Sequence, residues 1–450
     1  MRRFKRYMIL VLPDGITYTL ATINQGTEYM ESFMPALSRS DYRTLGLAAL
    51  GGALEFYDFI IFVFFAVVIA QLFFPPDMPD WLRLMQTFGI FAAGYLARPL
   101  GGIVMAHFGD LLGRKRMFML SIFLMSVPTL AIGLLPTYAV IGIWAPLLLL
   151  AMRLLQGAAI GGEVPGAWVF VSEHVPARHI GFACGTLTAG LTGGILLGSL
   201  VAAAIHKLYA PAELLAEGWR VPFILGGMFG LVAVWLRQWL QETPVFKEMQ
   251  ARQMLADELP LKTVIRAHRP AVILTMLMTW LLSAAIVVMI LMTPPLVQKL
   301  FAIPAAVALQ ANSIATLFLS LGCVVFGALA DRYGAGRVMM IGCAMLGVTS
   351  VLFYQQMSVA PQNINALYAL CGFFVGVIGV VPGVAVKAFP PVVRFSGLSF
   401  SYNVAYAVFG GLTPIAVSML LPLDPLAPAY YVAALSGLGV MIGMYLWRRG

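Results

Sequence analysis

The chain has 450 residues, of which 61% are hydrophobic and 10% charged, with a net charge of +9. Soluble domains carry about 25% charged residues, so a globule surrounded by water is excluded, and apolar runs longer than ~18 residues recur from end to end. The positive charge excludes a nucleic-acid surface, because the cations fall in alternate connections and form no continuous basic face.

Residues 1–44 read as a cytoplasmic or interfacial segment, or as an upstream extension of a protein that starts near Met34. The run from Met8 to Ile23 is too short to span and is broken by Pro13, and Pro13-Asp14-Gly15 with no small-residue cleavage site argues against a signal peptide. Apolar windows then predict helices over about 45–73, 82–108, 117–135, 143–171, 180–206 and 219–240, a first six-helix bundle. A polar cytoplasmic linker follows at about 241–269. A second bundle, within 270–450, has helices over about 270–297, 305–329, 338–356, 364–388, 396–421 and 428–447. The fold class predicted is an all-α integral membrane protein with twelve transmembrane helices in two pseudo-symmetric bundles.

Lys and Arg set the orientation. With the N-terminus inside, the cytoplasmic connections hold Arg114, Lys115, Arg116, Arg178, Lys247, Arg252, Lys262, Arg266, Arg269, Arg332, Arg337, Lys387 and Arg394, and the C-terminus adds Arg448 and Arg449. The other side holds Arg83, Lys207, Arg220 and Lys299. Both termini are therefore expected in the cytoplasm of an inner (plasma) membrane. Cys184, Cys323, Cys343 and Cys371 all fall in apolar runs without CxxC spacing and read as small buried residues.

The halves repeat. Gly109-Asp110-Leu111-Leu112-Gly113-Arg114-Lys115 follows the second helix of the first half, and Ala330-Asp331-Arg332-Tyr333-Gly334-Ala335-Gly336-Arg337 follows its counterpart in the second. Arg178 before Gly181 is echoed by Arg394 before Gly397. Glycine permits the tight turn, and an Asp ending one helix can face the positive N-terminus of another. Asp110, Arg114, Asp331, Arg337, Arg178 and Arg394 are the expected cytoplasmic gate, a latch that breaks as the conformation changes. A loop whose basic residues only set topology is the alternative.

With these loops on the page, the sequence resembles the major facilitator superfamily and, within it, the metabolite–proton symporter family, over about 45–447. Glu55-Phe56-Tyr57-Asp58-Phe59, Arg98-Pro99-Leu100-Gly101-Gly102, Arg153-Leu154-Leu155-Gln156-Gly157 with Gly161-Gly162-Glu163, and Glu242-Thr243-Pro244-Val245-Phe246 are similar to that family's elements. Leu111 departs, standing where the loop usually carries Arg. Relatives in this family carry α-ketoglutarate, citrate, shikimate, or proline and betaine. The resemblance implies proton symport by alternating access, no cofactor, and a monomeric functional unit in the lipid bilayer.

Glu55, Asp58, Arg98, Arg153 and Glu163 lie inside predicted helices, where an isolated charge costs a few kcal/mol, so they must face each other or a wet cavity. Structural ion pairs are the competing account of each. A coupling carboxylate must gain and lose a proton, and Asp58 and Glu55, three apart on one helix face, are the leading candidates, with Arg153 and Glu163 beside them. Two roles stay open for Arg153, coupling partner or anchor. Arg98, about 18 Å of helix from Asp110, offers a planar fork for a substrate carboxylate. Tyr57, Gln156, Asn312, Tyr402, Asn403 and Tyr406 complete the expected substrate site, with helix packing the alternative for the tyrosines. Charge bookkeeping favours a mono- or dicarboxylate, a tricarboxylate requiring protonated acids, and a betaine or proline osmolyte is the second reading. A transporter-like sensor is a third. A channel filter, a Walker loop and an HExxH motif are absent from the sequence, so no enzyme is expected.

Overall fold

The computed structural model describes residues 8–11, 17–20, 37–239, 242–251 and 260–449. Arg252, Pro13 and Met34 fall outside the described residues, as does the side chain of Arg114. Met8–Val11 pairs antiparallel with Thr17–Leu20, so part of the run that is too short to span forms a hairpin.

Among the described residues the remaining regular structure is helical. In the first half α1 is Arg39–Phe64, continued by Ala66–Phe73; α2 is Asp80–Leu112, α3 Arg114–Leu134, α4 Trp144–His174, α5 Ile180–Leu208 and α6 Arg220–Gln238. In the second half α7 is Arg269–Phe301, α8 Ala305–Tyr333, α9 Ala335–Val359, α10 Pro361–Ala388, α11 Pro391–Leu420 and α12 Ala427–Arg449. Among the described residues eleven helices are long and apolar enough to cross a membrane. A twelfth is reached when α6 is counted as one span with Pro211–Gly218, from which it is bent by 42°. Two short helices, Pro244–Ala251 and Pro260–Ala267, lie in the linker between the halves.

The helices overrun the apolar windows because their ends are polar and project past the hydrocarbon. α1 starts at Arg39 rather than 45, since Ser38 and Asp41 form a reciprocal capping box there. Most of the Gly109–Lys115 segment is helical too, leaving Gly113 as the single residue between α2 and α3. Gly113 has φ 116° and its counterpart between α8 and α9, Gly334, has φ 88°. L side chains rarely adopt such a backbone, so glycine is required at both corners.

Within the first half, α2 packs on α4, α1 on α5 and α3 on α6; in the second, α9 packs on α12 and α8 on α10. The α2–α4 seam is nearly side-chain-free. A Cβ at Gly157 would collide with Gly94, and one at Gly161 with the Arg98 carbonyl, so small residues bring the backbones together. The halves meet through α2 with α11 and α5 with α8. The second half is the more irregular: π-helical turns interrupt α7 at Val287–Met292 and α11 at Tyr406–Gly410, and a 3-10 turn interrupts α10 at Gly376–Gly379. Such turns re-aim side chains at the cost of regular hydrogen bonding.

Candidate functional site

A small cavity, about 40 Å³, lies between the halves and is lined from α1, α2, α4, α5, α7, α10 and α11. Arg98 is the one charged residue among its lining. Its guanidinium carbon sits 4.4 Å from the ring centre of Tyr406, 5.4 Å from Tyr95 and 5.6 Å from Tyr402. Ring faces are negative, so three phenols stabilise the charge without neutralising it. Among the described residues, Nε and Nη2 of Arg98 are buried without a hydrogen-bond acceptor. An unpaired buried guanidinium donor is costly, and its position at a cavity invites an anionic oxygen. Trp168 completes the aromatic wall, edge-on to Tyr402 at 5.0 Å, with its indole N–H donating to Thr188 Oγ1 at 3.2 Å.

A second buried cluster lies inside the first half, behind an aromatic partition. Arg153 is fully buried, with its guanidinium carbon 4.6 to 5.0 Å from the rings of Phe62, Phe59 and Phe91. Phe59 and Phe91 in turn pack edge-on to Tyr95, so the two arginines flank one aromatic cluster. Arg153 Nη1 donates to Gln156 Oε1 at 2.7 Å, and Gln156 Nε2 donates to Thr129 Oγ1 at 2.7 Å. Thr129 adjoins Asp58 where both approach Gly226 of α6, whose missing side chain leaves room for the carboxylate. Asp58 is fully buried, and the Thr129 hydroxyl stands beside its carboxylate. Glu55 is also buried, one turn away on α1. Glu163 accepts the Ser121 hydroxyl, joining α4 to α3.

The expected substrate residues therefore divide. Arg98, Tyr402 and Tyr406 line the cavity, whereas Tyr57, Gln156, Asn312 and Asn403 do not. The Tyr57 hydroxyl donates to the Pro222 carbonyl at 2.9 Å, and Gln156 belongs to the Arg153 chain. Asn403 Nδ2 donates to the Gly161 carbonyl at 2.6 Å, and Asn312 Oδ1 accepts the Tyr368 hydroxyl at 2.6 Å. Their place off the cavity has one physical reason: each side chain is committed to a helix–helix hydrogen bond. Tyr95 was legible, three residues before Arg98 and so on its face; Trp168 and Thr129 had no distinguishing signal.

The side carrying the Lys/Arg-rich connections, the basic side, is closed by two matching contacts. Asp110 Oδ2, at the end of α2, accepts the Ser396 amide at 2.9 Å and the Ser396 hydroxyl at 2.7 Å. Asp331, at the end of α8, accepts the Gly181 and Phe182 amides at 2.8 and 2.7 Å. Each carboxylate thus caps the positive N-terminal end of a helix in the opposite half. Arg394 adds an ion pair to Glu173 at 3.1 Å, and Glu173 also accepts the Thr243 hydroxyl at 2.8 Å. Among the expected gate residues, Arg178 Nε bonds His179 at 3.0 Å and Arg337 lies over Trp447, within the second half. Deeper in, Ser399 donates to the Gly102 carbonyl at 2.9 Å, and the Thr192 and Ser320 hydroxyls pair at 2.7 Å.

The model of the Major Facilitator Superfamily matches residues 48–414. A putative proline/betaine transporter of Staphylococcus aureus (strain COL) is 31% identical over 411 residues, covering 90% of this chain and 88% of that protein. The glycine betaine/proline/ectoine/pipecolic acid transporter of Dickeya dadantii is 31% identical over 422 residues, covering 90% and 83%. In fold, the chain is similar to the proton:xylose symporter bound to 6-bromo-6-deoxy-D-glucose, with a TM-score of 0.75 over 91% of this chain and 95% of that one, at 17% identity. With eleven to twelve apolar spans among the described residues and a carboxylate-to-helix contact repeated between the halves, this chain belongs to the Major Facilitator Superfamily, and it is a membrane transporter rather than an enzyme.

Proposed function

We propose that the chain is a proton-coupled symporter, of the metabolite–proton symporter branch, for a small zwitterion of the proline/betaine class. One observation carries the reading: a single guanidinium stands in an otherwise uncharged, aromatic-lined cavity. One cation matches one carboxylate, and a dicarboxylate or tricarboxylate would bring a surplus of charge with no partner there. The aromatic wall at Trp168, away from the guanidinium, suits the ammonium end of the same solute, since quaternary ammonium groups bind such walls. The transport of proline and betaine by relatives at 31% identity supports the same choice. The organic-acid reading favoured by sequence charge counting gives way, because Glu55, Asp58 and Arg153 do not line the cavity and leave its balance to Arg98 alone.

In this reading Asp58 exchanges the coupled proton, and Gln156 and Thr129 connect it to Arg153. Tyr95, stacked on Tyr406 at 5.9 Å, joins that cluster to the cavity. The basic side faces the cytoplasm of the plasma membrane, and the conformation is the one closed on that side. Alternating access opens the two carboxylate caps and closes the opposite side.

The test is uptake by proteoliposomes containing the purified protein under an imposed inward proton gradient. Radiolabelled glycine betaine and proline should accumulate and α-ketoglutarate should not. Accumulation of α-ketoglutarate alone would reinstate the organic-acid reading, and uptake indifferent to the gradient would remove proton coupling.

A further inference from the structure

A separate cavity of about 580 Å³ opens on the basic side of the second half, where α7, α9, α10 and α12 end. Arg337, Lys387, Tyr333 and Trp447 line it, with Leu274 and Leu446 among the apolar residues and no carboxylate in the lining. Arg337 lies in the first turn of α9, Lys387 in the last turn of α10, and Trp447 near the end of α12. That is the level at which cations and indoles meet lipid headgroups. Beneath the cavity the α9 and α12 backbones touch, since a Cβ at Gly336 would lie 2.5 Å from the Trp447 nitrogen.

The repeat supplies an internal comparison. At the start of α3 the Glu242 carboxylate accepts the Lys115 amide, each oxygen at 3.2 Å, so the linker delivers an anion to that helix. α9 is the counterpart of α3, and its N-cap residue, Gly334, has no side chain to offer. The two cations and the cavity stand there instead. A groove of about 510 Å³ runs beside it between α7 and α12, sharing Leu274, with Ile273 and Met441 exposed along it and Arg269 at its end.

We propose that this cavity binds an anionic phospholipid, its phosphate held between Arg337 and Lys387 and an acyl chain lying along the Ile273–Met441 groove. Charge complementarity selects the anionic headgroup, and the adjoining exposed apolar groove selects a lipid over a soluble anion.

The test is native mass spectrometry of the full chain in detergent, with phosphatidylglycerol or phosphatidylcholine of identical acyl chains. The wild type should retain phosphatidylglycerol preferentially. Arg337→Gln with Lys387→Gln should weaken that retention roughly 30-fold, while Arg337→Lys with Lys387→Arg should keep most of it. Melting temperatures in lipid-free detergent verify that the variants are folded, and both positions are exposed. Equal retention of the two lipids by the wild type, or undiminished phosphatidylglycerol retention by the Gln pair, overturns the site. Displacement of the lipid by equimolar glycerol phosphate overturns the lipid assignment in favour of a soluble anion.

Discussion

Arg98 of the first half holds its guanidinium carbon 4.4 Å from the ring centre of Tyr406, a side chain of the second. The guanidinium is thus walled by both halves. Arg98→Lys keeps the charge but loses the fork, and should weaken glycine betaine binding by about 1.5–3 kcal/mol, or roughly 10- to 150-fold. Arg98→Ala should be worse still. Binding to the purified variants, measured beside their melting temperatures, checks this; ordinary affinity in a stable Arg98→Ala protein would sink the role.

Tyr406 itself separates ring from hydroxyl. Tyr406→Phe keeps the face presented to Arg98 and should stay close to wild type in KM. Tyr406→Ala should raise KM by about 2- to 30-fold, the range of 0.5–2 kcal/mol for a cation over a ring. Equal KM values for the two variants would show that the ring face contributes nothing.

Asp58→Asn removes the titrating group while preserving size. Accumulation driven by a proton gradient should be abolished, whereas exchange of internal for external betaine should continue, because exchange need not cycle the proton. Full gradient-driven accumulation by a folded Asp58→Asn protein would shift attention to Glu55.

The two carboxylate caps should act on conformation more than on recognition. Asp110→Ala or Asp331→Ala should favour opening of the basic side by about 1–3 kcal/mol, a 5- to 150-fold change in population. Labelling of single cysteines placed on either side reads that shift, and unchanged labelling on both would exclude a gating role.

Gly102 allows a steric version of the same experiment. A Cβ there would lie 2.7 Å from Ser399 Oγ and 2.9 Å from the Gly161 carbonyl, so α2 and α11 cannot close over a larger side chain. Gly102→Val should hold the basic side open and slow net uptake by roughly 5- to 150-fold, given ~1–3 kcal/mol for overpacking. Normal uptake kinetics would show that this contact is not needed for closure.

The spans were readable because hydrophobic length is a constraint of the bilayer itself. Their ends were not, since Ser38 capping and the basic first turn of α3 extend helices beyond the apolar windows. The repeat of Asp110 and Asp331 is visible in the chain, but nothing local says that Ser396 or the Gly181 amide waits in the other half. Periodicity places Tyr57 and Asn403 on a helix face without saying which neighbour that face meets, and both turned to neighbouring helices. Trp168 and Thr129 carry no charge to mark them, although they complete the cavity wall and the Arg153 chain.

All four cysteines are buried, but not equivalently. Cys343 and Cys371 lie within the second half, the first against Gly439 of α12 and the second on α10. Cys184 lies on α5 beside Gly185, whose face rests directly on the Cys323 and Gly327 backbone of α8. The thiols of the unaltered protein therefore offer a test of alternating access. A thiol reagent small enough to follow water should reach Cys184 only while α5 and α8 are parted, and Cys343 only when the second bundle itself comes apart. The ratio of the two reaction rates then distinguishes a working cycle from denaturation without changing a single residue.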